Sequence, residues 1–88
     1  MSVEVSLFEA RTLKEKRRTI KSLKDRIRNR FNVSIAEVAF NDQPKRSRIG
    51  ITIVANESRY VHEVLDKIID VFQRTAQLSL IDYERELL

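Results

Sequence analysis

Twice within 88 residues, the apolar side chains of this chain change from a spacing of two to a helical spacing and back again. Val3, Val5 and Leu7 alternate with Glu4, Ser6 and Phe8, the signature of a strand with one buried face. Glu9 to Thr12 is a polar connector, with Thr12 as helix N-cap and Glu15 three residues on completing a capping-box pattern. From Leu13 the period lengthens: Leu13, Ile20, Leu23, Ile27 and Phe31 fall within a sector of about 80° on a helical projection. This predicts an amphipathic helix that ends between residues 29 and 32. Val33 to Phe40 is β-branched and apolar enough for a second strand, and Asn41 to Ser47 has the composition of a hairpin loop. Ile49 to Ala55 is the most apolar strand and therefore belongs in the middle of a sheet. Asn56 or Ser58 caps a second helix whose broad apolar face holds Val61, Val64, Leu65, Ile68, Val71 and Phe72. Leu78 to Leu87 closes the chain as a last strand.

The order β-α-β-β-α-β constrains the topology strongly. Each β-α-β half requires a right-handed crossover and the central hairpin joins the halves. The expected fold class is α+β: a ferredoxin-like sandwich over residues 1–88. It has a four-stranded antiparallel sheet ordered 4-1-3-2, with two helices on one face. A chain of this length supports one modest core and hence one domain. No cysteine is present, which removes disulfides and thiolate metal sites. A single glycine and a single proline leave no glycine-rich loop to cradle a phosphate, so side chains or helix N-termini must do so. Met1 leads directly into a strand pattern, and runs such as Ile53 to Ala55 are far too short to cross a bilayer. A cytoplasmic protein without a membrane partner is the expectation.

Charge is distributed unevenly. Ten of the seventeen Lys and Arg residues lie between Arg11 and Arg30, against only Glu15 and Asp25, while the rest of the chain is net acidic. Projection places Lys14, Arg17, Lys21, Lys24 and Arg28 within about 80° on one flank of the apolar sector, with Arg18 just beyond them. Arg26 and Arg30 project to the other flank. Lys16 and Lys24 sit at the margins of the buried face, where their stems are expected to pack while the ammonium groups reach outward. The run from Arg17 to Arg28 rises about 16 Å, enough for several phosphates. Glu15 and Asp25 are placed to pair at i+3 with Arg18 and Arg28, which leaves most of the helix charge uncompensated. The hairpin adds Lys45, Arg46 and Arg48.

Several of these segments carry a resemblance. The run Thr12-Leu13-Lys14-Glu15-Lys16-Arg17-Arg18, then Lys21-Ser22-Leu23, then Arg28-Asn29-Arg30-Phe31-Asn32-Val33-Ser34, resembles the YlxP-like family of small bacterial proteins with a domain of unknown function. Ala36-Glu37-Val38, Ile49-Gly50, Asn56, Val64-Leu65 and the terminal Asp82, Glu84, Glu86 and Leu87 extend the match over nearly the whole chain. The resemblance implies a ferredoxin-like fold. Because genes of the family sit among translation genes, it also implies a role near the ribosome. Members often carry a Trp in the hairpin loop, where this chain has Pro44.

Three functional readings follow. The first is a non-enzymatic accessory protein that engages RNA, with the small ribosomal subunit as the target that the resemblance brings. Lys14, Arg17, Arg18, Lys21, Lys24 and Arg28 would contact the phosphates. Base stacking on the sheet is disfavoured, because the third strand, Arg48 to Val54, has no aromatic residue. The second is a homodimer or other protein-interaction module built on the open sheet face, where Val38, Phe40, Val54, Ile81 and Tyr83 raise the prospect of a second apolar surface. The third is an enzyme, which has little support: no catalytic or metal-binding residues and no cofactor are expected. His62 projects onto the polar side of its helix without a Cys or carboxylate constellation. Arg11 with Asn41 or Asn56 only superficially matches the acylphosphatases that share the fold, because their glycine-rich loop is missing. Asp82, Glu84 and Glu86 share one strand face but no wrapping loop of the kind that holds a hard cation.

Overall fold

The computed structural model describes residues 1–86. Its elements run β1 (Ser2–Ser6), α1 (Leu13–Arg30), β2 (Ser34–Ala39), β3 (Arg46–Thr52), α2 (Ser58–Gln73) and β4 (Ser79–Glu84). All strand pairs are antiparallel, in the order β2-β3-β1-β4, which is the expected 4-1-3-2 arrangement read from its other edge. The fold is ferredoxin-like.

Alternation fixes which sheet face the helices cover. Val3 and Val5 of β1, Ile49 and Ile51 of β3 and Ile35 of β2 are all buried, against Ile20, Leu23 and Ile27 of α1 and Leu65, Ile68 and Phe72 of α2. Each such side chain contributes about 1.5–3 kcal/mol when taken out of water. A one-residue slip of β1 would expose both valines at once, so the register is strongly specified. α1 packs beside β2 and α2 beside β4, so each helix sits near one sheet edge.

Several boundaries differ from the sequence expectation. β3 begins at Arg46 and ends at Thr52, three residues ahead of the contiguous apolar run; Val54 lies beyond it, fully exposed. The reason is Ser47, which reads as a loop residue but is buried, its hydroxyl donating to Glu37 at 2.6 Å. Once Ser47 counts as inward, Ser47, Ile49 and Ile51 alternate cleanly with Arg46, Arg48 and Gly50. α2 has Glu57 at its N-cap with no side-chain capping bond, so neither Asn56 nor Ser58 caps it. α1 is capped as expected: Thr12 Oγ1 accepts from the Glu15 amide at 3.1 Å. The Glu15 carboxylate takes the amide of Arg11 at 2.6 Å, one residue upstream of an ideal capping box. β4 covers Ser79–Glu84, so Leu78, Arg85 and Glu86 lie outside the strand predicted to include them; Leu87 falls outside the described residues.

The open sheet face carries charge at its centre, which the apolar reading did not anticipate. Glu4 at its centre pairs with Arg46 at 2.9 Å and with Arg48 at 3.1 Å. Arg48 also donates to Ser2 Oγ at 2.9 Å and lies 3.8 Å from Glu84. The arginines assigned to the hairpin loop are therefore strand residues held by acids. Val38, with Ala36 and Gly50, is exposed on this face around a shallow depression of about 240 Å³, and Ile81 and Tyr83 of β4 are exposed as well.

Gly50 is needed here for close approach: a Cβ at this position would lie 2.9 Å from Val38 Cγ1. Valine is stiff about χ1, so relief requires a change in Val38 itself. Gly50→Ala is expected to be about 1 kcal/mol more favourable in a Val38→Ala background than in the natural chain, measured by a denaturation double-mutant cycle.

Candidate nucleic-acid interface

The eighteen residues of α1 place position 16 in the same stripe as Ile20, Leu23 and Ile27, and that stripe is buried. Lys16 therefore enters the core, with no exposed side-chain surface. Its ammonium lies 2.8 Å from Glu37 Oε2 and donates to the carbonyls of Phe40 (2.8 Å), Asn41 (3.2 Å) and Arg46 (3.2 Å). The expectation that its ammonium reaches outward is thus corrected. The acceptors are gathered by the β2–β3 turn, where Phe40 adopts a left-handed backbone, φ 61°. That conformation costs a bulky residue about 1–3 kcal/mol. The Phe40 carbonyl also accepts from Gln43 N at 3.0 Å, and its ring lies 4.0 Å beneath the Arg46 guanidinium.

Lys24, the other marginal lysine, is half-buried and does open to solvent with its neighbours. Arg17, Lys21, Lys24 and Arg28 line one groove of about 480 Å³, with Ile20, Asp25 and Glu37. One wall is the helix flank and the other is edge strand β2. Lys21 is 2.8 Å from Asp25 and keeps 75% of its side-chain surface exposed. Its hydrogen bond, joined by the charges of Lys21, Arg28 and Lys24, holds the Asp25 carboxyl below the ordinary carboxylate range. The ion pair's contribution to stability is present above the usual carboxylate range and is lost as pH falls through that lowered value.

The anticipated i+3 pairs do not form. Asp25 turns back to Lys21 at i,i+4, and Glu15 is occupied at the helix start. Among the described residues, Lys16 and Lys21 are the only two of the ten cations between Arg11 and Arg30 in ion pairs.

Arg28 makes a contact the sequence did not reveal: Nη2 donates to the Ile35 carbonyl at 2.9 Å. Ile51, opposite Ile35, uses its own N–H and C=O on Met1. In an antiparallel ladder the Ile35 carbonyl must then point away from β3, toward the free edge. Arg28 therefore reaches from the helix over the outer edge of the sheet.

The six predicted contact residues do not share one surface. Arg17, Lys21, Lys24 and Arg28 come together. Lys14 is exposed in the first helical turn and is not part of the groove. Arg18 lies on the opposite shoulder, in a depression of about 220 Å³ with Thr19, Ser22, Arg26, Thr75 and Gln77. There Arg26 donates to Thr75 Oγ1 at 3.1 Å. Lys45 donates to the Phe8 carbonyl at 3.1 Å, so the hairpin does not extend the groove. Glu37 went unrecognised as part of the groove. Its signal was an acid at an inward strand position two residues after Ile35, which demands a buried cation.

His62 is half-buried, with Nδ1 3.2 Å from Arg85 Nη1, and Arg85 also pairs with Asp66. Its surroundings thus bind the chain after β4 to α2. Among the described residues no group of three or more His, Asp or Glu is arranged to hold a metal, and no helix is long and apolar enough to cross a membrane.

The family profile described as protein of unknown function DUF503 matches residues 1–85. The chain belongs to the DUF503 family. It is also 33% identical over 66 residues to the uncharacterized protein YlxP of Bacillus subtilis (strain 168), an alignment covering 75% of this chain and 72% of that relative. The YlxP-like resemblance carried by the α1 segments is thereby established at the level of family.

Proposed function

We propose that this DUF503 member is a non-enzymatic cytoplasmic accessory protein that binds the phosphate backbone of RNA through the groove between α1 and β2. The family association makes the small ribosomal subunit the first target to test. The supporting observation is the alignment of Arg17, Lys21, Lys24 and Arg28 along one groove, with three of the four in no ion pair among the described residues. The helix backbone that carries these cations is already ordered, and the released counterions drive association. Four phosphate contacts give a log–log salt slope of about −3. The test is purification without nuclease, followed by quantification of co-eluting RNA across a salt gradient. A nucleic-acid-free protein that does not retain added RNA at low salt would refute the reading.

The rival reading, self-association through the open sheet face, has weaker support. That face is centred on the Glu4, Arg46 and Arg48 ion pairs, whose desolvation opposes burial. Pairing of two β2 edges would instead set two basic α1 flanks side by side.

Asp25 offers a check in the opposite direction. It is the carboxylate that partly neutralises the cations lining the groove, so Asp25→Asn is expected to tighten RNA binding about three- to tenfold at low salt. The gain should fade as salt is raised, as read by fluorescence anisotropy.

A further inference from the structure

Resting on the RNA reading above, we infer that α1 docks between the two phosphate ridges of duplex RNA and does not track an unpaired strand. Two observations carry this. The first is the absence of a stacking platform. Proteins that hold unpaired strands offset the entropy of ordering them by stacking bases on aromatic rings. The groove is lined by charged side chains and Ile20, with no aromatic residue. Phe8, Tyr60 and Tyr83 are exposed outside it, while Phe40 and Phe31 lie beneath Arg46 and Arg30. A duplex presents its phosphates already ordered. The steps from Arg17 to Lys21, Lys24 and Arg28 rise about 6, 4.5 and 6 Å along the helix, a fixed spacing for cations to meet phosphates.

The second observation is that α1 is cationic on both shoulders. Arg17, Lys21, Lys24 and Arg28 face the β2 side, while Arg18 and Arg26 face the side of Thr75 and Gln77. The two rows are set apart around a helix that is about 10–12 Å across with side chains. An unpaired strand supplies one line of phosphates and can satisfy only one row. An A-form duplex has a wide, shallow minor groove bordered by two lines of phosphates, whereas its deep major groove excludes side chains. A convex helix with a charged row on each side matches the minor groove.

Anisotropy titrations at fixed low salt test this with two probes: an RNA hairpin stem of about 16 base pairs, and an unstructured RNA strand with as many phosphates. The duplex is expected to bind at least about tenfold more tightly. Arg18→Glu, an exposed change remote from the core, should weaken duplex binding about tenfold and alter single-strand binding less than about threefold. Equal or tighter binding of the single strand, or an equal loss on both probes in Arg18→Glu, would overturn the inference and leave the RNA reading standing. Failure to bind either probe would overturn both.

Discussion

Lys16→Ala is expected to destabilise the protein by about 3–5 kcal/mol, the loss typical of removing one partner from a buried ion pair. A domain of this size has a total stability on the order of 5–15 kcal/mol, so the variant should be partly unfolded at ambient temperature. Three effects combine. The Glu37 carboxylate, 15% exposed, loses its cation. The carbonyls of Phe40, Asn41 and Arg46 lose a shared donor, and the left-handed Phe40 backbone loses the contact that holds it. The lysine stem also leaves a void in the core stripe. Lys14→Ala, two residues away but exposed, should shift stability by less than about 0.5 kcal/mol. Denaturant titration reads both. Lys16→Met combined with Glu37→Leu should recover more than half the loss, because two matched apolar groups avoid the unpaired charge. A Lys16→Ala variant as stable as the natural chain would show that the ammonium does not occupy this position.

The second large effect concerns binding. Arg17→Glu with Lys21→Glu is expected to lower RNA affinity roughly 100-fold near 0.1 M salt, since two phosphate contacts become two repulsions. Both side chains are exposed, so the melting transition should move little, which separates loss of recognition from loss of fold. The salt slope should flatten by about two counterions relative to the natural chain. An unchanged affinity would locate binding elsewhere on the molecule and remove the groove from consideration.

Reading these residues from sequence succeeded where periodicity decides and stumbled where a side chain's partner is distant in the chain. The sheet order was legible because two crossovers and a hairpin leave few alternatives, and the apolar helix stripes found their sheet. Ser47 defeated the strand boundary because its burial depends on Glu37, ten residues earlier. Lys16 was misjudged for a related reason: a lysine on a buried stripe normally bends outward, and the four oxygens that keep it inward come from another part of the fold. The basic flank was legible as charge, but helical angle alone could not separate Arg18 from Arg17. That division required α2 and its following turn on one side and β2 on the other.

The bond from Arg28 to Ile35 has a consequence for the company this protein keeps. β4, at one border of the sheet, carries Asp82 and Glu84, which discourage unwanted lateral growth. β2, at the opposite border, has no outward charge of its own. A guanidinium borrowed from the neighbouring helix stands sentry over its carbonyl. Neutralising that arginine would cost the molecule a warden against polymerisation as well as a contact of the proposed RNA groove, so on that proposal tolerance for change at position 28 is squeezed from two directions.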